Sequence, residues 1–308
     1  MSRSNAIETS LFESGFYLPI SISKAQSLSA TFDRLLARNQ TRSSQSTYGM
    51  HNRKRSGLGE AFWQYRPYEN GEDASKIDWR RSARGDQLYV KEKELESLRD
   101  YYIWIDCASS MKFSSTLSQE DKLTCAITFG LAIVDLILRS GDRVGLLGSS
   151  APSASRATLK LIANQIENII LSNFNSAIPL LPQPSSRSKI IIISDFLNNS
   201  DDLNYTLRYY ADFGISGLVI MINDPSEVDF PFSGETQFFD SQDGQEYYAG
   251  DAQNIAKEYH QVFEKYKLKI QGAVVDNAFQ FFHHITRHST DVVGNDIAGP
   301  LQICLADF

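Results

Sequence analysis

Two aspartates stand where a short apolar run breaks off. Tyr101-Tyr102-Ile103-Trp104-Ile105 stops at Asp106, and Lys189-Ile190-Ile191-Ile192-Ile193-Ser194 stops at Asp195. Short apolar runs bounded by polar residues read as buried strands. A carboxylate at the C-terminal end of such a strand lies where open α/β sheets place their ligand sites. Asp106 and Asp195 could share one Mg²⁺ and position a water, the chemistry of a Mg²⁺-dependent phosphoester hydrolase. No general base and no second set of metal ligands accompanies them.

Other reactive residues give less. Of the five histidines, His260, His283, His284 and His288 come late, and none has the spacing of a metal-ligand pair or a triad. His284 and His288 are four apart, but the adjoining Arg287 and chain end point to a surface. Cys107 sits beside Asp106, and a neighbouring carboxylate raises a thiol pKa, so a nucleophile is disfavoured there. Cys107, Cys125 and Cys304 are too few and too scattered for a disulfide framework or a zinc site, and they suit a reducing cytoplasm.

A second group is denser. Trp63, Arg66, Gly71, Asp73, Asp78, Trp79, Arg80, Arg81 and Arg84 crowd into a few turns of chain. Between His51 and Lys91 there are nine Lys or Arg against six Asp or Glu, a local +3 within a chain of formal charge 30 − 37 = −7. The overall charge disfavours bulk nucleic-acid binding. Arg forks pair with carboxylates and Trp covers guanidinium. Arg84 is therefore expected in an internal network with Asp73 or Asp78, and Arg80 or Arg81 at a contact with an acidic partner. The basic stretch His51 to Gly59 reads as a solvated turn.

The elements that position these residues follow from period. The chain of 308 residues is 42% hydrophobic and 22% charged, ordinary for a globular protein with a large core. Residues 1–22 show no clear period and carry no signal-peptide design. Ser23 to Asn39 has Leu28, Phe32, Leu35 and Leu36 at helical spacing. Gln40 to Thr47 is a loop by composition, and Leu88-Tyr89-Val90 a strand. From Tyr101 onward strands alternate with helices. The strands are Tyr101–Ile105, Arg143–Leu147, Lys189–Ile193 and Gly217–Ile222. The helices are Lys122 to Ser140, Thr158 to Ser172, Asp201 to Phe213 and Asp251 to Lys267. Ser241-Gln242-Asp243-Gly244 signals a hairpin within Thr236 to Tyr248. Leu268 to Val275 is expected as a last strand and Asn277 to Arg287 as a last helix. The tail after His288 ends in LQICLADF, which suits a packed strand or a docking peptide. The longest apolar stretch, Leu123 to Leu138, is shorter than the roughly 20 residues a bilayer needs and contains Asp135; no membrane anchor is expected. Alternating strands and helices specify a Rossmann-type parallel sheet with helices on both faces. No Gly-x-Gly-x-x-Gly follows a strand, which disfavours a dinucleotide site.

The run FWQYRPYENGEDASKIDWRRSARGDQLYVKE resembles the central motif of the bacterial family called domain of unknown function 58. Its elements here are Tyr65-Arg66-Pro67-Tyr68, Gly71-Glu72-Asp73, Ile77-Asp78-Trp79, Ala83-Arg84 and Val90-Lys91-Glu92. The likeness extends from about His51 to about Thr286. It implies a von Willebrand A-like α/β domain and a partnership with MoxR-type AAA+ ATPases, and no known activity.

Von Willebrand A domains often carry a metal-ion-dependent adhesion site with a first loop Asp-x-Ser-x-Ser, a threonine in a middle loop and a later aspartate. On that resemblance Asp106, Ser110 and Asp195 fall on the pattern. Ala108 takes the middle loop position, where it offers no oxygen, and Ser176 is the only positional candidate for the threonine. The implied Mg²⁺ site is incomplete: either a weak or partner-completed site, or a loop that caps helix ends. The expected organisation is an N-terminal extension with a short helix (1–50), a Trp/Arg/Asp region packed on the sheet (51–98), the von Willebrand A-like domain (99–287) and a tail (288–308). The expected function is a cytoplasmic, non-enzymatic interaction module. Trp79, Arg80, Arg81 and Arg84 form its contact surface for a MoxR-type AAA+ ATPase.

Overall fold

The computed structural model describes residues 22–34, 56–69, 73, 75, 77–83, 85, 87–94, 98–172, 177–182, 185–197, 200–239, 245–287 and 297–305. The chain forms two compact units. The smaller spans 42–98, and the larger is built essentially from 1–41 and 99–306.

In the smaller unit, strand β1 (Ser56–Pro67) pairs antiparallel with β2 (Tyr89–Glu94), with Tyr65 opposite Lys91 and Pro67 opposite Tyr89. Pro67 closes β1, where its missing N–H costs no ladder bond. A single helical turn, Trp79–Ser82, lies between the strands. Asp78 caps it, accepting from the Arg81 backbone N–H at 3.0 Å. The Ser82 hydroxyl accepts from Tyr89 N at 2.9 Å, and Ile77 bridges Val90, so the turn is tied to β2 on both sides.

The larger unit is a five-stranded, all-parallel sheet. Its strands are β3 (Asp100–Ile105), β4 (Arg143–Leu146), β5 (Ser188–Ser194), β6 (Ser216–Asn223) and β9 (Gln280–Ile285), in the order β4-β3-β5-β6-β9. Alternate residues of β5 face opposite cores. Ile191 and Ile193 meet the helices 22–34 (α1), Lys122–Arg139 (α3), Thr158–Leu171 (α4) and Ala298–Leu305 (α8). Ile190 and Ile192 meet Ser200–Asp212 (α5) and Gln253–Asp276 (α7). With the turn in the smaller unit as α2, the remaining helix is the short α6, Pro225–Asp229. This is the Rossmann-type architecture expected from the apolar runs, a parallel sheet covered on both faces and consistent with a von Willebrand A-type domain. Gly217 permits it locally: a Cβ there would stand 1.7 Å from the Ile190 carbonyl oxygen of the adjoining strand. A ribbon of β7 (Thr236–Phe239) and β8 (Glu246–Ala249) packs through Phe238 on Phe230 and Phe232. It realises the expected hairpin, whose Ser241–Gly244 tip lies outside the described residues.

Several assignments differ from the sequence reading. Ser56 to Gly59, read as the end of a solvated turn, is the start of strand β1. Leu268 to Val275 is not a strand but the last two turns of α7, and the next element, β9, is a strand rather than a helix. Phe263, Ile270 and Val274 are buried at steps of seven and four, a helical face that the local apolar density obscured. The break falls at Asn277, the C-cap of α7, whose side chain donates to the Ala273 carbonyl, and at Ala278, held at φ 60. In β9 Phe282 and His284 point inward; His284 is buried and meets the Phe129 ring edge-on, so it is not the surface residue expected. The tail forms helix α8, with Leu301 and Cys304 in the core, in place of a strand or free docking peptide.

Candidate functional site

The strand order reverses between β3 and β5. From β3 the chain crosses to β4 on one side, then returns to place β5 on the other. The loops after β3 and β5 therefore diverge, and the crevice between them is the topological switch point where such sheets bind ligands. Asp106 and Asp195 stand at these two strand ends.

Asp106 is held to β5. Its backbone N–H donates to the Ile193 carbonyl at 2.9 Å, and its Oδ2 accepts from the Ser194 hydroxyl at 2.6 Å. Oδ1 accepts from the Ala108 N–H at 2.9 Å, which shapes the turn into the 3₁₀ segment Ser109–Lys112. Burial pushes the Asp106 carboxyl above its usual range. The Ser194 and Ala108 hydrogen bonds oppose that shift, Asp195 adds to it, and the Lys122 ammonium opposes it. Ser110 is buried nearby. Burial, and then Asp106, push the Cys107 thiol up to about 12, which removes it as a nucleophile.

Asp195 has a cation. Its Oδ2 lies 2.8 Å from Lys122 Nζ, and both side chains are wholly buried. The same ammonium reaches Glu227 Oε1 on α6. Glu227 Oε2 in turn accepts from Asn223 Nδ2 and Asp224 N, both at 3.0 Å. Burial pulls the Lys122 pKa down, but the attraction of Asp195 and Glu227 outweighs it and the net shift is upward. Asp224 closes the arrangement, accepting from Ser226 N–H and hydroxyl and, across the loop, from Ser115 N at 2.8 Å. Burial alone would raise the Asp224 carboxyl; these hydrogen bonds hold it below its usual value. Asn223 Oδ1 meets His283 Nε2 at 3.0 Å on β9.

These residues do not fit a divalent cation. Ala108 offers no side-chain oxygen, Asp106 is engaged with Ser194, and Asp195 already carries an ammonium. Among the described residues no three His, Cys, Asp or Glu are grouped as metal ligands. Ser176 lies outside the described residues.

Sequence reasoning missed Lys122 and Glu227. A signal existed for each. Lysine at the first position of a helix opposes the macrodipole and calls for carboxylate partners. Asp224-Pro225-Ser226-Glu227 has the spacing of a capping box with proline at N1, and the structure shows both of its reciprocal bonds.

Beside Asp106 opens a pocket of about 180 Å³ between the ends of β3 and β4. Trp104, Asp106, Leu146, Leu147, Ile166 and Ile169 are among its walls.

In the smaller unit the four expected contact residues separate. Trp79 is 62% exposed and Arg80 is exposed. Arg81 is exposed too, but its guanidinium stacks over the Tyr65 ring at 4.4 Å and Tyr89 at 5.3 Å. Tyr65 also donates to Asp78 Oδ2 at 3.1 Å. Arg84 lies outside the described residues.

The fold and its switch-point loops define a Rossmann-type α/β domain carrying an internal ammonium–carboxylate cluster. The chain belongs to the family described as protein of unknown function DUF58, whose family model matches residues 64–267. It is 24% identical over 202 residues to the uncharacterized proteins Rv1480 of Mycobacterium tuberculosis and Mb1516 of Mycobacterium bovis. Each match covers 61% of this chain and 62% of the relative's length. Among solved structures it is similar to the conserved hypothetical protein BatB from Bacteroides thetaiotaomicron, at 16% identity and TM-score 0.31, over 58% of this chain and 98% of that one. An aerotolerance-related membrane protein from Bacteroides fragilis aligns at 16% identity and TM-score 0.33, over 56% of this chain and 99% of that one. Among the described residues no helix is long and apolar enough to cross a membrane.

Proposed function

We propose that this protein is a non-enzymatic interaction module, an adaptor or co-chaperone of a MoxR-type AAA+ ATPase acting in the cytoplasm. The observation that carries the reading is Trp79, 62% exposed on a turn that Asp78 caps and Ser82 ties to β2. An exposed tryptophan on a rigid turn, flanked by the exposed Arg80, has the composition of a binding hot spot. The family resemblance supplies the identity of the partner. A Mg²⁺-dependent phosphoester hydrolase at Asp106 and Asp195 has less support, because the Lys122 ammonium engages Asp195 and no general base adjoins Asp106.

The test is co-purification of the wild-type protein with the cognate ATPase, in ATP-bound and ADP-bound states. Stable association in either state is the expected result. Association in neither, together with Mg²⁺-stimulated hydrolysis of a generic phosphoester such as p-nitrophenyl phosphate, would replace the adaptor by the hydrolase.

A further inference from the structure

The cluster at the sheet top is short of positive charge. Asp106, Asp195, Asp224 and Glu227 contribute four carboxylates, and Lys122 is, among the described residues, the one ammonium bonded to any of them. That ammonium is committed to Asp195 and Glu227. Asp106 is left with two hydrogen bonds, one from a backbone N–H and one from a hydroxyl, neither from a cation. An ionised carboxylate has about four acceptor positions, so roughly half of its capacity is unused. A buried carboxylate with no cation bonded to it is costly to keep ionised, and burial raises the Asp106 pKa despite the nearby Lys122 ammonium.

The pocket has Asp106 as one wall and Ser149 as another, and most of the rest is apolar: Trp104, Leu146, Leu147, Ile166, Ile169 and Pro179. Its volume of about 180 Å³ is well below the 300 Å³ or more that encloses a drug-sized ligand or cofactor. An apolar cavity of about 150 Å³ holds a molecule the size of benzene. The space therefore suits one side chain of five or six non-hydrogen atoms. A lysine has that size, with an aliphatic stem that apolar walls favour and a head that a cation-poor carboxylate favours.

We propose that the pocket between the ends of β3 and β4 receives a lysine side chain from a protein partner, its stem against Leu146, Leu147 and Ile169 and its ammonium on Asp106. The contact needs no divalent ion. Its polarity is the reverse of a metal-bridged site, which accepts an acidic residue. The assignment rests on the interaction-module reading only for the statement that the lysine belongs to a protein. The pocket's chemistry stands or falls independently of which partner that is.

The experiment uses the ¹⁵N-labelled full chain in metal-free buffer with EDTA. Amide shifts are followed while n-butylammonium, butan-1-ol, sodium butyrate and Nα-acetyl-lysine methylamide are titrated separately. The expected result is saturable movement of the Ala108, Gly148 and Ser149 amides with butylammonium and with the lysine amide. Butan-1-ol should bind about tenfold more weakly, the value of one charge-assisted hydrogen bond, and butyrate not at all. Asp106→Asn should weaken both amines about tenfold. Ile169→Phe, which fills the pocket and leaves the carboxylate intact, should abolish binding; a native-like amide spectrum of either variant is the folding control. Equal binding of butan-1-ol and butylammonium, or no effect of Asp106→Asn, would reduce the pocket to an apolar cavity and overturn the assignment. Binding of butylammonium but not of the lysine amide would overturn docking of a protein side chain. The two readings fail separately. Amine binding without ATPase association removes the adaptor and leaves the pocket, whereas ATPase association unaffected by Ile169→Phe, with no amine binding, does the opposite.

Discussion

Lys122 Nζ lies 2.8 Å from Asp195 Oδ2, with neither side chain exposed to solvent. A lysine at the first position of α3 thereby cross-links the end of β5 to α6, through Asp195 on one side and Glu227 on the other. Breaking a buried pair from one side leaves an uncompensated charge, which costs more than the pair contributes when whole. Lys122→Met should therefore destabilise the fold by roughly 3–5 kcal/mol in urea denaturation. Adding Asp195→Asn and Glu227→Gln to it should restore part of that loss. A single-variant cost below about 1 kcal/mol, the range of an exposed pair, would show that the cluster is solvated in solution.

The ammonium also accounts for the mismatch with a divalent ion, and that account has its own consequence. Shortening the side chain in Lys122→Ala leaves Asp195 and Glu227 facing a space without a cation. Hard carboxylate oxygens bind Mg²⁺ or Ca²⁺ when geometry permits, and a bound ion raises the melting temperature with concentration. Thermal melts with and without millimolar MgCl₂ should show a rise for Lys122→Ala and none for wild type. A wild-type rise equal to the variant's would mean that the ion binds elsewhere.

Neutralising Asp106 should act on stability in the opposite direction from neutralising Lys122. Its folded-state pKa is raised by burial. Between the unfolded value and that raised value the native state holds a proton that the unfolded state has released. Stability therefore falls as pH rises through this window and stays lowered above it. Asp106→Asn removes the penalty while keeping an oxygen for the Ala108 N–H. At neutral pH the variant should be at least as stable as wild type, and its stability should no longer decline across the window. A buried acid that weakens its own fold is the pattern of a residue kept for binding. A loss above about 1 kcal/mol, the worth of a typical hydrogen bond, would instead make the Ser194 contact structural.

His283 sets the acid side. Burial, and then the nearby Lys267, lower its pKa to about 4, and its Nε2 meets Asn223 Oδ1. The unfolded imidazole takes up a proton near its ordinary value of about 6.5, while the native one stays neutral to about 4. Stability should fall as pH drops through that interval. His283→Asn should flatten the slope in a series of urea melts from neutral to acid pH; an unchanged slope would assign it to other groups.

The parallel sheet was legible because each central strand is apolar on both faces, a pattern that survives without knowledge of its neighbours. Asp106 and Asp195 were legible for the same reason: each is the first charge after such a run. Lys122 was not. It begins a helix whose next residues are apolar, and only the return of α6 across the sheet top brings Glu227 to it, a contact 105 positions away in sequence. The exchange of helix for strand after Lys267 has a local cause. Leu268-Lys269-Ile270 alternates as a strand would, and Asn277, which caps the end of α7, reads in sequence equally well as the start of a helix. In the motif region, residue type pointed to arginines but could not separate Arg80 from Arg81, since stacking on Tyr65 and Tyr89 depends on the β1–β2 pairing.

That separation yields the last prediction. Arg81 lies over two aromatic rings, and its backbone N–H is the one that Asp78 caps. Arg81→Ala keeps the cap but removes the guanidinium from Tyr65 and Tyr89, contacts worth about 0.5–1 kcal/mol each at exposed sites. It should lower the melting temperature and reduce ATPase association only in step with unfolding. Arg80 and Trp79 are exposed on the same turn. Arg80→Ala and Trp79→Ala should leave the melt within about 0.5 kcal/mol of wild type, the range of ordinary surface changes. A Trp79 acting as an interface anchor should cost at least about 2 kcal/mol of binding when truncated. Pull-downs and melts on the three variants read the two quantities side by side. If Trp79→Ala and Arg80→Ala bind the ATPase as wild type does, the exposed turn is not its docking surface, whatever the stability of the fold.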